Sequence, residues 1–197
     1  MIQGACRKAR PFRIFPRARC AAMIAAMRPL LLLALLGLLA ACASYRDRAA
    51  PMATQAIDPA RYAGTWVEIA AFPVWFQRGC TATTATYAVT GPDTLSVVNT
   101  CRDGAPDGPE RRIAGTAEVV GPGRLSVRLG AVPFAAPYHV LWVDADYETA
   151  VVGVPNGRAG WILARTPEIA PDTRARAEAV LAANGYAPDR LVDTRHR

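Results

Sequence analysis

From Thr65 onward the chain breaks into short runs of alternating apolar and polar residues, each closed by a cluster of turn formers. The runs cover residues 65–71, 81–89, 95–101, 113–120, 125–129, 138–143, 149–154 and 160–165. Between them stand Gly91-Pro92-Asp93, the Gly- and Pro-containing stretch 104–109, Gly121-Pro122-Gly123 and Asn156-Gly157. Alternation with a period of two marks strands, whose successive side chains point to opposite faces. Eight of them at this spacing predict an all-β fold, an antiparallel sandwich or barrel. One helix follows. Pro171 suits a first helical position, Asp172 the positive end of the helix dipole, and Asn184-Gly185 a C-cap, which places it over about 171–184. Thr173, Ala177, Val180, Leu181 and Asn184 share one face that can pack outside the sheet. Leu191-Val192 reads as a last short edge strand.

The front of the chain is of another kind. Seven of the 23 basic residues and none of the 16 acidic ones lie in residues 1–41, so the remainder is neutral despite a net charge of +7. A neutral body without a basic stripe has little attraction for phosphate backbones, which argues against a nucleic-acid partner. Residues 30–39 are almost all Leu, about half of what a bilayer-spanning helix needs and the length of a signal-peptide core. Leu39-Ala40-Ala41-Cys42 resembles the bacterial lipobox, in which the Cys becomes the lipidated first residue. Residues 1–41 are therefore expected to be a signal peptide, with Met23 and Met27 as alternative starts. Cys42 is expected to carry the anchor, and 42–57 to form a polar tether. Ala43 stands where an Asp would resemble an inner-membrane retention signal, so the pattern implies the outer membrane, facing the periplasm.

Two other cysteines remain in such a mature chain, Cys80 and Cys101. In an oxidising compartment a disulfide is the leading reading, with two unpaired thiols as the alternative. A strict hairpin centred on Pro92 sets Cys101 opposite Thr83, three residues from Cys80. Bridging them requires a bulge or ragged strand ends.

The alternation also sorts side chains by face. One parity carries Trp66, Glu68 and Ala70; Thr81, Thr83, Ala85 and Tyr87; Leu95, Val97 and Asn99; Ile113, Gly115, Ala117 and Val119. It continues with Leu125, Val127 and Leu129; Tyr138, Val140 and Trp142; Val151 and Gly153; Trp161 and Leu163. These are the expected interior residues. Many are small, whereas a solid core needs bulk to reach native packing density. Eight strands around small residues can enclose one small ligand. One bulge would flip part of the list.

Three segments carry a family resemblance. Tyr62-Ala63-Gly64-Thr65-Trp66 is similar to the first signature of the lipocalins, a Gly-x-Trp at the first strand. The segment from Tyr138 to Tyr147, ending in Val143-Asp144-Ala145-Asp146-Tyr147, resembles the second. Trp161-Ile162-Leu163-Ala164-Arg165-Thr166-Pro167 resembles the third. The order is right, the helix follows the third, and the likeness spans about 58–194. It is nearest to the bacterial outer-membrane lipocalins related to apolipoprotein D. The resemblance implies a closed eight-stranded up-and-down barrel over 58–197 with its helix outside. It further implies Gly64, Trp66 and Arg165 as closure residues, the guanidinium lying across the indole.

The opposite end is then the mouth. Phe72, Trp75 and Phe76 in the loop after the first strand, and Phe134 in a later one, are expected at the entrance, where they pack as a lid or touch a ligand or the membrane. Glu68 and Asn99, with Tyr87 or Tyr138, are candidates to orient a head group. Ala85, Val97, Val127, Leu129, Val140, Trp142 and Trp161 are candidates for the apolar wall. The resemblance implies non-catalytic binding, storage or transfer of a fatty acid, lysophospholipid or similar lipid. A structural or scavenging protein without a dedicated ligand is the alternative, and a haem or pigment binder a third. His139 is expected to face outward and His196 lies in a charged tail. No Ser/His/Asp set, phosphate loop or metal-spaced cluster stands out, so no cofactor, metal or catalytic residue is expected. Asp144, Asp146 and Glu148 read as solvated turn residues. Catalysis enters only through Cys101 as a free inward thiol. A homodimer is left open.

Overall fold

The computed structural model describes residues 44–197; the leader and Cys42 lie outside the described residues. A short helix α1 (Pro59–Tyr62) leads into β1 (Gly64–Ala71), followed by β2 (Cys80–Gly91), β3 (Thr94–Asp103), β4 (Glu110–Gly121) and β5 (Arg124–Leu129). Then come β6 (Ala136–Val143), β7 (Thr149–Gly153), β8 (Gly160–Ala164), helix α2 (Pro171–Ala183) and the two-residue β9 (Val192–Asp193). Each of the strands β1 to β8 pairs antiparallel with its sequence neighbour, and β1 also pairs with β8. The sheet is thereby a closed eight-stranded barrel, with β9 added alongside β1. Closure removes the free edges that an open sheet would present.

Two bulges revise the sorting of faces. In β6 the register steps between Val140 and Trp142, so Val140 pairs with Val152 and Trp142 with Val151. Beyond that step the expected parity inverts. Ala150, Val152 and Val143 join the interior cluster, whereas Val151 and Trp142 belong to the outer one. Trp142, expected in the wall, instead lies under the Arg176 guanidinium of α2, 5.2 Å from its ring centre. Gly153 also faces outward, where a side chain would collide with Tyr186. In β1 a step between Glu68 and Ala70 sets Ala70 opposite Ile162 of the outer layer and Ala71 opposite Trp161.

Helix α2 covers β6 and β7, burying Ala177 and Leu181 on Leu141, Val151 and Ile162. Asn184 ends it, its side-chain amide donating to the Val180 carbonyl at 2.8 Å. Phe72, expected at the entrance, is fully buried in this outer layer, stacked between Tyr45 and Tyr186. The segment expected as a tether lies on the wall. Arg46 is buried and donates to the Asn184 carbonyl at 2.7 Å, and Gln55 exchanges two side-chain hydrogen bonds with the Val143 backbone.

The hairpin β2–β3 follows the register centred on Pro92 from Val89 back to Thr84. A one-residue step between Thr81 and Thr84 then sets Cys80 opposite Asp103. Ala82, with φ of 46°, sits in that step. The shift draws Cys80 and Cys101 to a Cα separation of 5.4 Å, and they form a disulfide.

Candidate ligand-binding site

The two barrel ends are built from different chemistry. At the end where β1 begins, the Arg165 guanidinium lies 3.7 Å from the Trp66 ring centre. Its N–H groups donate to the carbonyls of Arg61, Ala63, Thr65 and Tyr147 at 2.9–3.0 Å. The Trp66 indole N–H donates to the Tyr62 carbonyl at 2.8 Å, and the indole is wholly buried. Gly64 must be glycine for this packing: its φ is 97°, and a β carbon there would stand 3.2 Å from the Arg165 Nη1. That end is sealed.

Above the seal the barrel stays solid. Leu95, Val97, Ala117, Leu125, Val140 and Val152 are each at most 1% exposed, so no water-sized space adjoins them. Val97 and Val140, expected to touch a ligand, are part of this packed floor. Tyr87 is buried with them, and Tyr138 crosses the barrel on top. The Tyr138 and Tyr62 hydroxyls meet at 2.8 Å, and the Tyr138 ring lies 6.3 Å from that of Tyr87 and 6.4 Å from Trp161. Burial pushes the Tyr87 phenol up to about 12, and lifts Tyr62 and Tyr138 well above the ordinary value. All three stay neutral at physiological pH.

Beyond Tyr138 the barrel opens. Ala85, Asn99, Val127, Leu129 and Trp161 are half-buried, and Ile113, opposite Asn99, is 41% exposed. These residues form a cup, apolar on most sides. Its polar side runs across β1, β2 and β3. Glu68 is buried, its carboxylate accepting from the Gln77 amide at 2.7 Å and the Thr194 hydroxyl at 2.6 Å. Burial raises the pKa of Glu68, while those two hydrogen bonds and the nearby His196 oppose the rise. The buried Thr83 Oγ1 and Asn99 Oδ1 have no hydrogen-bond partner. Buried polar atoms are normally paired. Both atoms are shut off from solvent within β2 and β3, so they leave unused hydrogen-bonding capacity in the barrel wall and not in its open space.

A lid crosses the mouth. The loop after β1 contains a 3-10 turn (Trp75–Gln77) whose Gln77 reaches inward, accepting from the Trp161 indole N–H at 3.1 Å while donating to Glu68. Arg111 of β4 holds the far side through the Phe76 and Arg78 carbonyls, each at 3.2 Å. The C-terminal tail closes the gap where β1 and β2 part. Thr194 and Ala82 donate backbone hydrogen bonds to Ile69 and Arg195, and the His196 Nε2 lies 2.7 Å from the Glu68 carbonyl. Trp75 and Phe134 stand at this rim, 82% and 70% exposed, and Phe76 is 47% exposed. His139 faces outward, against the Met52 sulfur.

The structure therefore brings Glu68, Ala85, Asn99, Val127, Leu129, Tyr138 and Trp161 to one cup, and removes Phe72 and Trp142 from it. Gln77 and Thr194 join Glu68 without local motifs to announce them. The one sequence signal was an amide in an otherwise aromatic loop.

Known proteins share this architecture. Residues 57–196 match the family described as lipocalin-like domain. The chain is 32% identical to outer membrane lipoprotein Blc of Escherichia coli strain K12, over 79% of this chain and 88% of that protein. It is 32% identical to temperature-induced lipocalin-1 of Arabidopsis thaliana, over 68% and 76% respectively. The crystal structure of lobster apocrustacyanin A1 superposes with a TM-score of 0.57 at 20% identity, over 74% of this chain and 89% of that one. From the signatures, the closed barrel and these matches, the chain belongs to the lipocalin family of small-hydrophobe binders.

Proposed function

We infer that the protein is a lipoprotein anchored through Cys42 in the outer membrane and facing the periplasm, where it reversibly holds a single-chain lipid. The observation that carries this reading is the half-open barrel, an apolar cup of half-buried inward side chains above a solid floor. Cup and floor give the guest an orientation: tail towards Tyr138, head towards Glu68 and Gln77 under the lid. Each methylene withdrawn from water contributes about 0.8 kcal/mol, so six give about 5 kcal/mol, enough for useful binding without strong polar recognition. The Glu68 carboxylate beside that head accepts one hydrogen bond on each oxygen and has lone pairs to spare. It suits a head that donates hydrogen bonds, which favours a lysophospholipid with a glycerol hydroxyl or an ammonium over an ionised fatty acid. No bond is made or broken; with Cys101 held in its disulfide, the mechanism is partition.

A second reading has its own observation. The packing around Val97 and Val140 fills the lower barrel, as a structural lipoprotein without a dedicated guest would require. Mass spectrometry of an organic extract of the protein from its native envelope, with displacement of a fluorescent fatty-acid probe, separates the two. Stoichiometric lysophospholipid, displacing the probe at lower concentration than palmitate, is the expected result. Empty protein that neither takes up nor releases the probe would leave only the structural role.

A further inference from the structure

The described chain begins in the rim of the open end. The Tyr45 N–H donates to the Gly157 carbonyl of the β7–β8 loop at 2.7 Å, and its hydroxyl to the Pro73 carbonyl at 2.7 Å. Pro73 stands in the lid loop itself, two residues before Trp75. The Arg190 guanidinium covers the Tyr45 ring at 4.4 Å, so this residue is clamped on three sides. Cys42 is two residues upstream of Ser44 in the chain, a reach of about 7 Å.

Among the described residues the same rim carries the most exposed aromatic side chains, Trp75 and Phe134, with Phe76 and Val132 on the same two loops. Clustered exposed apolar groups mark an interaction surface, and Trp favours the interface between lipid head groups and acyl chains. Charge agrees with this polarity. On the open rim Arg78, Arg111, Arg112, Arg158 and Arg195 outnumber Asp103, Asp107 and Glu110, whereas at the sealed end Asp93, Asp144, Asp146 and Glu148 outnumber Arg61, Arg124 and Arg165. An anionic leaflet attracts the first and repels the second.

We propose that the open rim docks on the bilayer holding the Cys42 lipid, with Trp75 and Phe134 in the head-group region and the cup opening into the leaflet. A guest then passes between leaflet and cup without crossing water. The inference rests on lipidation of Cys42 from the proposed function, but not on a bound guest.

The test uses the full chain, lipidated in its host, purified in detergent and reconstituted into phosphatidylethanolamine–phosphatidylglycerol vesicles. Part of the lipid is brominated on the acyl chains near the glycerol. The chain has four tryptophans, and the difference between wild type and Trp75→Phe isolates the emission of the exposed one. Trp75 emission should fall at least twofold in brominated vesicles and become shielded from aqueous iodide. Trp75 unquenched by bromine, whether open to iodide or shielded by a second copy of the chain, would overturn the proposal. So would an intact mass lacking the lipid adduct. Docking without displacement of a fatty-acid probe would retain the proposal and sink only the carrier reading.

Discussion

The sealed end and the open end of this barrel solve opposite problems with similar residue types. At the sealed end Arg165, Trp66 and Tyr62 saturate one another: each N–H of the guanidinium that points inward meets a carbonyl, and the indole is wholly buried. At the open end half-buried Trp161 and Gln77 are joined to buried Glu68 in a chain of single hydrogen bonds. Aromatic and polar groups thus make a keystone where they are mutually satisfied in a dry site. They make a latch where each bond can be exchanged for one to solvent.

If this contrast is right, damage to the keystone should cost most. Trp66→Ala removes a fully buried indole and leaves the guanidinium over a hole. Truncations of this kind cost about 3–5 kcal/mol, which in a domain of this size lowers Tm by roughly 10 °C. A Tm within two degrees of wild type, by calorimetry, would erase the distinction between the ends. The next effect belongs to the junction between lid and wall. Replacing Cys80 and Cys101 together by Ser opens a link of sequence separation 21, which costs about 3 kcal/mol through the unfolded chain. Amide exchange should quicken first at Gly104, which donates to the Gly79 carbonyl at the lid's exit, and only later at Trp66. Equal quickening at both would mean that the ends are not mechanically separate.

The same contrast explains what the amino-acid sequence made legible. The keystone arises from local patterns: a Gly two residues before a Trp, and an Arg directly after the last barrel strand. Strand limits were legible to within a few residues because turns demand Gly, Pro and Asn. The β2–β3 register was readable from Val89 back to Thr84 because the turn residues Gly91-Pro92-Asp93 mark its centre, and a bulge between Val89 and Gly91 adjusts the two-residue turn to that centre. Parity failed at Leu141 and Ile69, where single-residue bulges occur in runs that are apolar on both faces. There the helix outside and the cup inside both demand hydrophobic residues, so alternation carries no information about which way they point. The latch was illegible for another reason. Glu68, Gln77, Trp161 and Thr194 come from four separate segments, and only barrel closure and the tail's return bring them together. The packed floor was also missed, because Tyr138 lying across the barrel fills the volume that the small wall residues leave.

A smaller effect is expected from Gln77→Ala. It leaves the Trp161 indole N–H and one Glu68 oxygen to water at the mouth, costing about 1 kcal/mol of stability. Its larger consequence is kinetic. Freed of its inward bonds, the lid is held only at its two sides, by Tyr45 and Arg111, and stopped-flow release of a bound fluorescent fatty acid should speed up roughly tenfold, the equivalent of about 1.4 kcal/mol. The same substitution with an unchanged release rate would show that Gln77 fills the mouth without gating it.

The smallest expected effect is the most specific. Burial raises the pKa of Glu68 in the folded protein, so the fold holds this proton more tightly than the unfolded chain does. The stability linked to that proton is fully present below the ordinary carboxylate value of 4.5 and is lost as pH rises through the folded value. Glu68→Gln cannot lose it. The mutant also gives up one acceptor for Gln77 or Thr194, but this cost does not vary with pH. Subtracting the two Tm curves cancels every other titrating group, provided those groups do not couple to Glu68. His196 does, since its charge favours the ionised carboxylate, and the comparison is therefore repeated with His196→Ala in both chains. The Tm of Glu68→Gln minus that of its parent should rise between pH 4 and pH 7 in either background. A flat difference would mean that the carboxylate is as well solvated in the fold as out of it, and that the latch, like the cup beneath it, stands open to water.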